Sequence, residues 1–189
     1  MVKIVVMRSL VCVVAAVVLT GLAATPASAS NYGVFEPYRP GANAITYDMA
    51  KVPAGSRAVV APFTTGRGTT VIFLVHGLLP DRHYGAHVHT KSCAANPADA
   101  GPHFQNIVDP VQPSVDPVYA NADNEIWLDF ATDDRGAAVA VAQVNWKFGD
   151  RPAAAVVIHN EHTHTKPGEA GTAGPRLACL TSSFSTAKF

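Results

Sequence analysis

The stretch Gly85-Ala86-His87-Val88-His89 decides how the rest of this 189-residue chain is read. Its composition suits a β-strand, and in a strand residues i and i+2 project from the same face. His87 and His89 therefore offer two imidazoles to one side. Two further histidines stand alone downstream, in Gly101-Pro102-His103-Phe104 and Val157-Ile158-His159-Asn160. Four imidazoles from three places in a β-rich chain point to a site for copper or zinc, the metals that imidazole suits.

Outward from this strand, helical periodicity is nearly absent. Eight segments rich in Val, Ile, Thr, Phe and Ala are candidate strands: Ala44–Asp48, Arg57–Thr64, Thr69–Gly77, Tyr84–Thr90, Glu125–Thr132, Ala137–Asn145, Ala153–Asn160 and Leu177–Phe184. Ile126-Trp127-Leu128-Asp129-Phe130 alternates, with its even positions apolar and Asp129 between two of them. Turn signals separate the strands at Pro53-Ala54-Gly55, Thr65-Gly66-Arg67-Gly68, Asp133-Asp134-Arg135-Gly136 and Phe148-Gly149-Asp150. Short strands at this spacing predict an all-β sandwich or barrel. Two long loops interrupt them, Lys91 to Asn124 and Glu161 to Arg176, and each begins beside a candidate ligand. Loops of this length in a compact domain are usually functional.

The amino terminus reads as a secretory signal peptide: Lys3 and Arg8, an apolar run from Leu10 to Leu22, and Ala27-Ser28-Ala29 as the cleavage site. The division expected is a signal peptide at 1–29, an N-terminal entry segment at 30–43 that is polar, Pro-containing and loosely ordered from Asn31 to Gly41, and one β domain at 44–189. Without Lys3 and Arg8 the 14 basic residues become 12 against 14 acidic, a net charge of −2. That balance gives no footprint for nucleic acid, and no membrane attachment is expected after cleavage. Cys12 leaves with the signal, and Cys93 and Cys179 remain. An even pair in a secreted chain reads as a disulfide, with two thiolate metal ligands as the alternative. The sequence fixes no oligomeric state.

These residues carry a resemblance. Gly77-Leu78-Leu79-Pro80, Tyr84-Gly85-Ala86-His87-Val88-His89, Cys93, and Ala100-Gly101-Pro102-His103-Phe104 resemble the copper/zinc superoxide dismutase family in order and spacing. Val156-Val157-Ile158-His159 and Ala173-Gly174-Pro175-Arg176-Leu177-Ala178-Cys179 are similar to its C-terminal signature. The resemblance implies a flattened eight-stranded Greek-key β-barrel or sandwich with two long functional loops. It implies copper ligation by His87, His89, His103 and His159, and steering of superoxide by Arg176. It also implies a Cys93–Cys179 disulfide, and a catalytic role for His103, whose counterpart bridges to zinc.

The departures are as informative. The family's zinc site needs two more histidines and an aspartate after the bridging histidine, and no histidine lies between Phe104 and Ile158. Tyr119 and Ala122 stand where the last zinc histidine and the aspartate would be. Asp109, Asp116 and Asp123 with one histidine make a poor zinc site, so zinc is expected to be absent. The far nitrogen of His103 then needs another partner, for which Asp123 and Glu125 are candidates. Leu180 replaces a usual glycine, and the second loop is shorter than the family's. The expected function is a secreted superoxide dismutase using copper alone; the alternative is a non-catalytic copper-binding or copper-delivery protein. His76 and His83 read as structural or solvated. His162 and His164 repeat the H-x-H spacing, as a solvated loop or a second, weaker copper site, and Glu161 beside them could orient an imidazole.

Overall fold

The computed structural model describes residues 31–184, so the segment read as a signal peptide lies outside the described residues. The described residues form nine strands: β1 (Tyr32–Val34), β2 (Ala44–Thr46), β3 (Arg57–Thr65), β4 (Gly68–His76), β5 (His83–His89), β6 (Phe130–Ala131), β7 (Ala138–Val144), β8 (Ala155–His159) and β9 (Arg176–Thr181). They make two antiparallel sheets, β1-β3-β4-β7 and β2-β9-β8-β5-β6. The chain crosses between them repeatedly, as in a Greek-key β-sandwich, and the sheets do not close into a barrel.

Two expectations need correction. The segment read as loosely ordered contains β1, with Tyr32, Gly33 and Val34 opposite Val59, Ala58 and Arg57 of β3. It carries no apolar alternation because its inward residue is a glycine. A Cβ on Gly33 would run into Ala44 Cβ and stand 2.7 Å from Leu180 Cδ1, so the glycine makes room for Ala44 and Leu180 of the other sheet. The candidate strand Glu125–Thr132 is regular only at Phe130–Ala131. Its earlier part is nevertheless held along β5, where Leu128 N–H donates to Ala86 O and Val88 N–H donates to Ile126 O.

The alternation within each strand sets what is buried where. Val60, Val71, Phe73, Val75 and Val144 of the four-stranded sheet face Tyr84, Ala86, Val88, Ile126, Leu128, Val156, Ile158 and Leu180 of the other layer in one core. The opposite face of β5 and β8 carries Gly85, His87, His89, Ala155, Val157 and His159, and these are buried too. The two long loops cover that second face. The first contains a short 3-10 turn at Pro97–Ala100 and packs Ala100 with Ala155, Val157 and Cys179.

A Cys93–Cys179 disulfide ties this first loop to β9 across 86 residues of sequence. Cys93 N–H also donates to Thr181 Oγ1, and Tyr47 Oη donates to Ala94 O. Closing so long a loop restricts the unfolded chain, and removing such a bridge typically costs about 2–5 kcal/mol. The Cys93→Ser/Cys179→Ser variant should therefore unfold at a lower denaturant midpoint by an equivalent amount. An unchanged midpoint in equilibrium unfolding would show that the bridge does not constrain the chain.

Candidate metal centre

Strand parity brings the first three ligand candidates together. His87 and His89 leave β5 on its loop-covered face, and neighbouring β8 ends on His159 with the same orientation, since Ala155, Val157 and His159 alternate. Gly85 of β5 is opposite His159, while Arg176 is opposite it on β9, at a register shift after Ile158. His103 comes from the first long loop and is joined to His89 by a single antiparallel bridge. One ring nitrogen from each of His87, His89, His103 and His159 lies within 4.8 Å of the others. The fold thus gathers all four expected residues.

The hydrogen bonds select which nitrogen faces inward. His89 Nδ1–H donates to Gly101 O at 2.9 Å, and His159 Nδ1–H donates to Gly174 O at 3.1 Å. His103 Nδ1 lies 2.7 Å from Glu125 Oε2. These bonds hold the proton on Nδ1 and leave Nε2 free to ligate. His87 is the reverse. Its Nε2 lies 2.6 Å from Thr163 Oγ1, and its wholly buried Nδ1 has no hydrogen-bond partner among the described residues. A buried polar atom without a partner costs about 1–3 kcal/mol, which a metal ion at the centre of the cluster would remove. The donor set, one Nδ1 and three Nε2, fits copper or zinc.

A second layer of residues fixes the rings. Buried Glu125 also accepts from Trp127 Nε1 at 2.7 Å and from Gln105 Nε2 at 2.8 Å. Of the two acceptors considered for His103, the fold uses Glu125; Asp123 is exposed. Behind His87, Thr163 Oγ1 donates to Asp129 Oδ1 and Thr163 N–H to Asp129 Oδ2, both at 2.7 Å. Sequence reasoning missed Thr163 and Asp129 as supports. The signal for Asp129 was its place on the polar side of the alternating run Ile126–Phe130. The second loop can lie this close to β5 because residue 85 is glycine: a Cβ there would run into Glu161 O and stand 2.8 Å from Ala173 Cβ.

Arg176 is half-buried beside the cluster. Its guanidinium donates to Pro97 O and Gly101 O, each at 2.8 Å. It lines a pocket of about 320 Å³ together with His103, His159, Glu125, Gly171 and Thr172. His103 is the partly exposed ring of the four, while His87 and His89 are fully enclosed. Elsewhere in the first loop, Asp109 accepts from Ser114 Oγ and Val111 N–H, and Asp116 accepts from Val118 N–H, so both carboxylates brace their own turns. Tyr119 is half-buried and Ala122 exposed. His76 is exposed, and Glu161 lies 3.7 Å from His164 rather than orienting a ring of the cluster.

Burial sets the charge of the cluster. Burial first, and then the neighbouring imidazoles, hold His87 and His89 well below the usual histidine range; the same causes lower His159 to about 3. All three are therefore neutral at pH 7, the form that ligates. Because the folded values are depressed, their contribution to the metal-free protein is complete above the unfolded histidine value near ~6.5 and is lost as pH falls below it. Each such ring contributes a slope of up to about 1.4 kcal/mol per pH unit in that window. The metal-free protein should keep a constant unfolding midpoint from pH 8 to 7 and lose stability steadily from pH 6 to 4. A flat profile across pH 6 to 4 would contradict this assignment of charge.

No family model matches the sequence, and no curated protein matches it. Solved structures do. A Cu/Zn superoxide dismutase from Brucella abortus is similar over 82% of this chain and 97% of its own, with 18% identity and a TM-score of 0.52. A double mutant of a SOD-like protein from Bacillus subtilis is similar over 67% of this chain and 87% of its own, with 18% identity and a TM-score of 0.50. The loop-covered cluster of four histidines is thus built on the fold of the Cu/Zn superoxide dismutase-like proteins.

Proposed function

We propose that this chain is an extracytoplasmic superoxide dismutase that uses copper without zinc. His87, His89, His103 and His159 hold the ion, and Arg176 draws in the superoxide anion. The observation that carries the reading is the direction of the ring nitrogens. Nδ1 of His87 is buried without a partner, and the other three rings have Nδ1 hydrogen-bonded, so that Nε2 faces the same space. A four-nitrogen site without thiolate or carboxylate favours copper, which lies above zinc in the affinity order of divalent metals. Copper bound there supplies one-electron exchange, by which two superoxide anions and two protons become O₂ and H₂O₂.

The chain's own residues do the rest. Arg176 keeps its positive charge at any working pH, and its two carbonyl contacts hold that charge in the wall of the pocket. A fixed cation beside a small pocket raises the local concentration of a small anion. His103 lines this pocket with His159 and is the more exposed of the two, so its Nε2, when it is not holding the ion, is the place from which a proton reaches the reduced product. Glu125, 2.7 Å from Nδ1, stabilises the ring while it is charged and keeps it oriented. The same carboxylate supports the zinc-free reading, because it occupies the nitrogen of His103 that would otherwise face a second metal. Export is supported by the signal-like sequence at 1–29 and by the disulfide, which an oxidising compartment preserves. Among the described residues, no helix is long and apolar enough to cross a membrane.

The mature protein loaded with one Cu(II) should show a tetragonal nitrogen-ligated EPR spectrum and rapid superoxide decay. His103→Ala should abolish the decay. Arg176→Ala should slow it by about tenfold or more at low salt and flatten its dependence on ionic strength. Tight copper binding with decay no faster than that of free copper complexes would replace this reading with a copper carrier. Stoichiometric zinc beside copper in reconstituted protein would overturn the zinc-free reading. Separately, Glu125→Gln should weaken copper affinity by about 10–100-fold in a competition assay; unchanged affinity would remove Glu125 from its role in orienting His103.

A further inference from the structure

Sequence spacing pairs His162 with His164, but the fold sends the two apart. Thr163 turns inward to His87 and Asp129. His164 lies between Glu161 and Glu169, at 3.7 and 3.6 Å. His162 instead meets His83, the first residue of β5. His83 Nδ1 and His162 Nε2 are 3.2 Å apart, with the rings nearly perpendicular at 82° and both side chains exposed. Phe130 O lies 3.1 Å from the same His162 nitrogen. Two imidazole nitrogens each about 2.0–2.1 Å from one ion stand roughly 3 Å apart, so this is already the separation of two ligands of a single ion.

We propose that His83 and His162, with the Phe130 carbonyl beside them, form a second metal site, facing solvent and exchangeable, for an imidazole-seeking divalent ion, copper(II) foremost. It rests on its own residues and not on the reading of the four-histidine cluster. On binding, two metal–nitrogen bonds form, and the proton that His162 Nε2 shares with Phe130 O moves through solvent to His162 Nδ1, so that the ring ligates as a neutral imidazole. No electron is transferred. With two imidazoles, one carbonyl and water as ligands, the site is weaker than the enclosed cluster.

Its position gives it a consequence for the cluster. His162 directly precedes Thr163, whose hydroxyl lies 2.6 Å from His87 Nε2. An ion joining His83 to His162 would pin the start of the second loop to β5, and so brace the side chain that orients His87. The site is also the exposed counterpart of the enclosed one, placed where an ion can land from solvent.

The test is calorimetric titration of the mature protein with Cu(II), with EPR spectra at each equivalent. The wild type should take up a second, weaker equivalent. His83→Ala, His162→Ala and His162→Gln should each lose that event and keep the first, whereas His164→Ala should keep both. A His103→Ala/His159→Ala variant, with the enclosed cluster dismantled, should retain the weak event, which separates this site from the four-histidine reading. A wild type with no second event would overturn the proposal, and so would a second event that survives both His83→Ala and His162→Ala.

Discussion

The five-stranded sheet is buried on both faces, and the metal-ligand cluster follows from that constraint. One face packs against the other sheet through Tyr84, Ala86, Val88, Val156 and Ile158. Among the described residues the opposite face has no layer of regular structure, and the two long loops cover it. Side chains there lose water and need partners within the protein. His87, His89 and His159 meet that demand with one ring nitrogen each, and the loops supply the acceptors as Gly101 O, Gly174 O and Thr163 Oγ1. The loops therefore have two roles that cannot be separated: they dehydrate the rings, and they decide which nitrogen is left to ligate.

The same burial explains the electrostatics. Dehydration favours the neutral imidazole at His87, His89 and His159, and around His87 three neighbouring rings make a charge still less favourable. The metal-free cluster is thus held in its ligating form at the expense of an unpaired nitrogen on His87. His103 differs because it faces the pocket and a buried carboxylate. Only this ring has both a route for a proton and a counter-charge within 2.7 Å. The asymmetry among four chemically identical side chains comes entirely from what each one touches.

Much of this was legible in the sequence, for identifiable reasons. The alternation of β5 is regular, so the shared face of His87 and His89 could be read directly, while the pairing of β5 with β8 that adds His159 to that face is set by the fold. Lone His103 was harder to place by parity, and the family resemblance supplied its role. The alternation at Ile126–Phe130 set Asp129 apart from its apolar even neighbours, and the fold does bury Ile126, Leu128 and Phe130, although pairing with β5 becomes regular only at Phe130. β1 was not legible because Gly33, its inward residue, is there to fit Ala44 and Leu180, which the fold brings against it from other strands. The His83–His162 pair was hidden for a similar reason. Spacing suggested His162 with His164, but Thr163 is held inward by Asp129, and the flanking histidines must then diverge.

Arg176 shows how closely binding and architecture are joined here. Gly101 O accepts from both His89 Nδ1 and Arg176 Nη2, at 2.9 and 2.8 Å. The carbonyl that fixes the tautomer of a ligand also anchors the cation proposed to attract the anion. Pro97 O, at the start of the short turn in the same loop, accepts from the other arm of the guanidinium. The Cys93–Cys179 disulfide tethers the loop a few residues earlier, to β9, the strand that Arg176 begins. Loop, ligand, disulfide and guanidinium thus form one connected unit. A planar fork that reaches two carbonyls at once is needed to complete it, and lysine, a single point charge on a flexible stem, cannot replace arginine in that geometry.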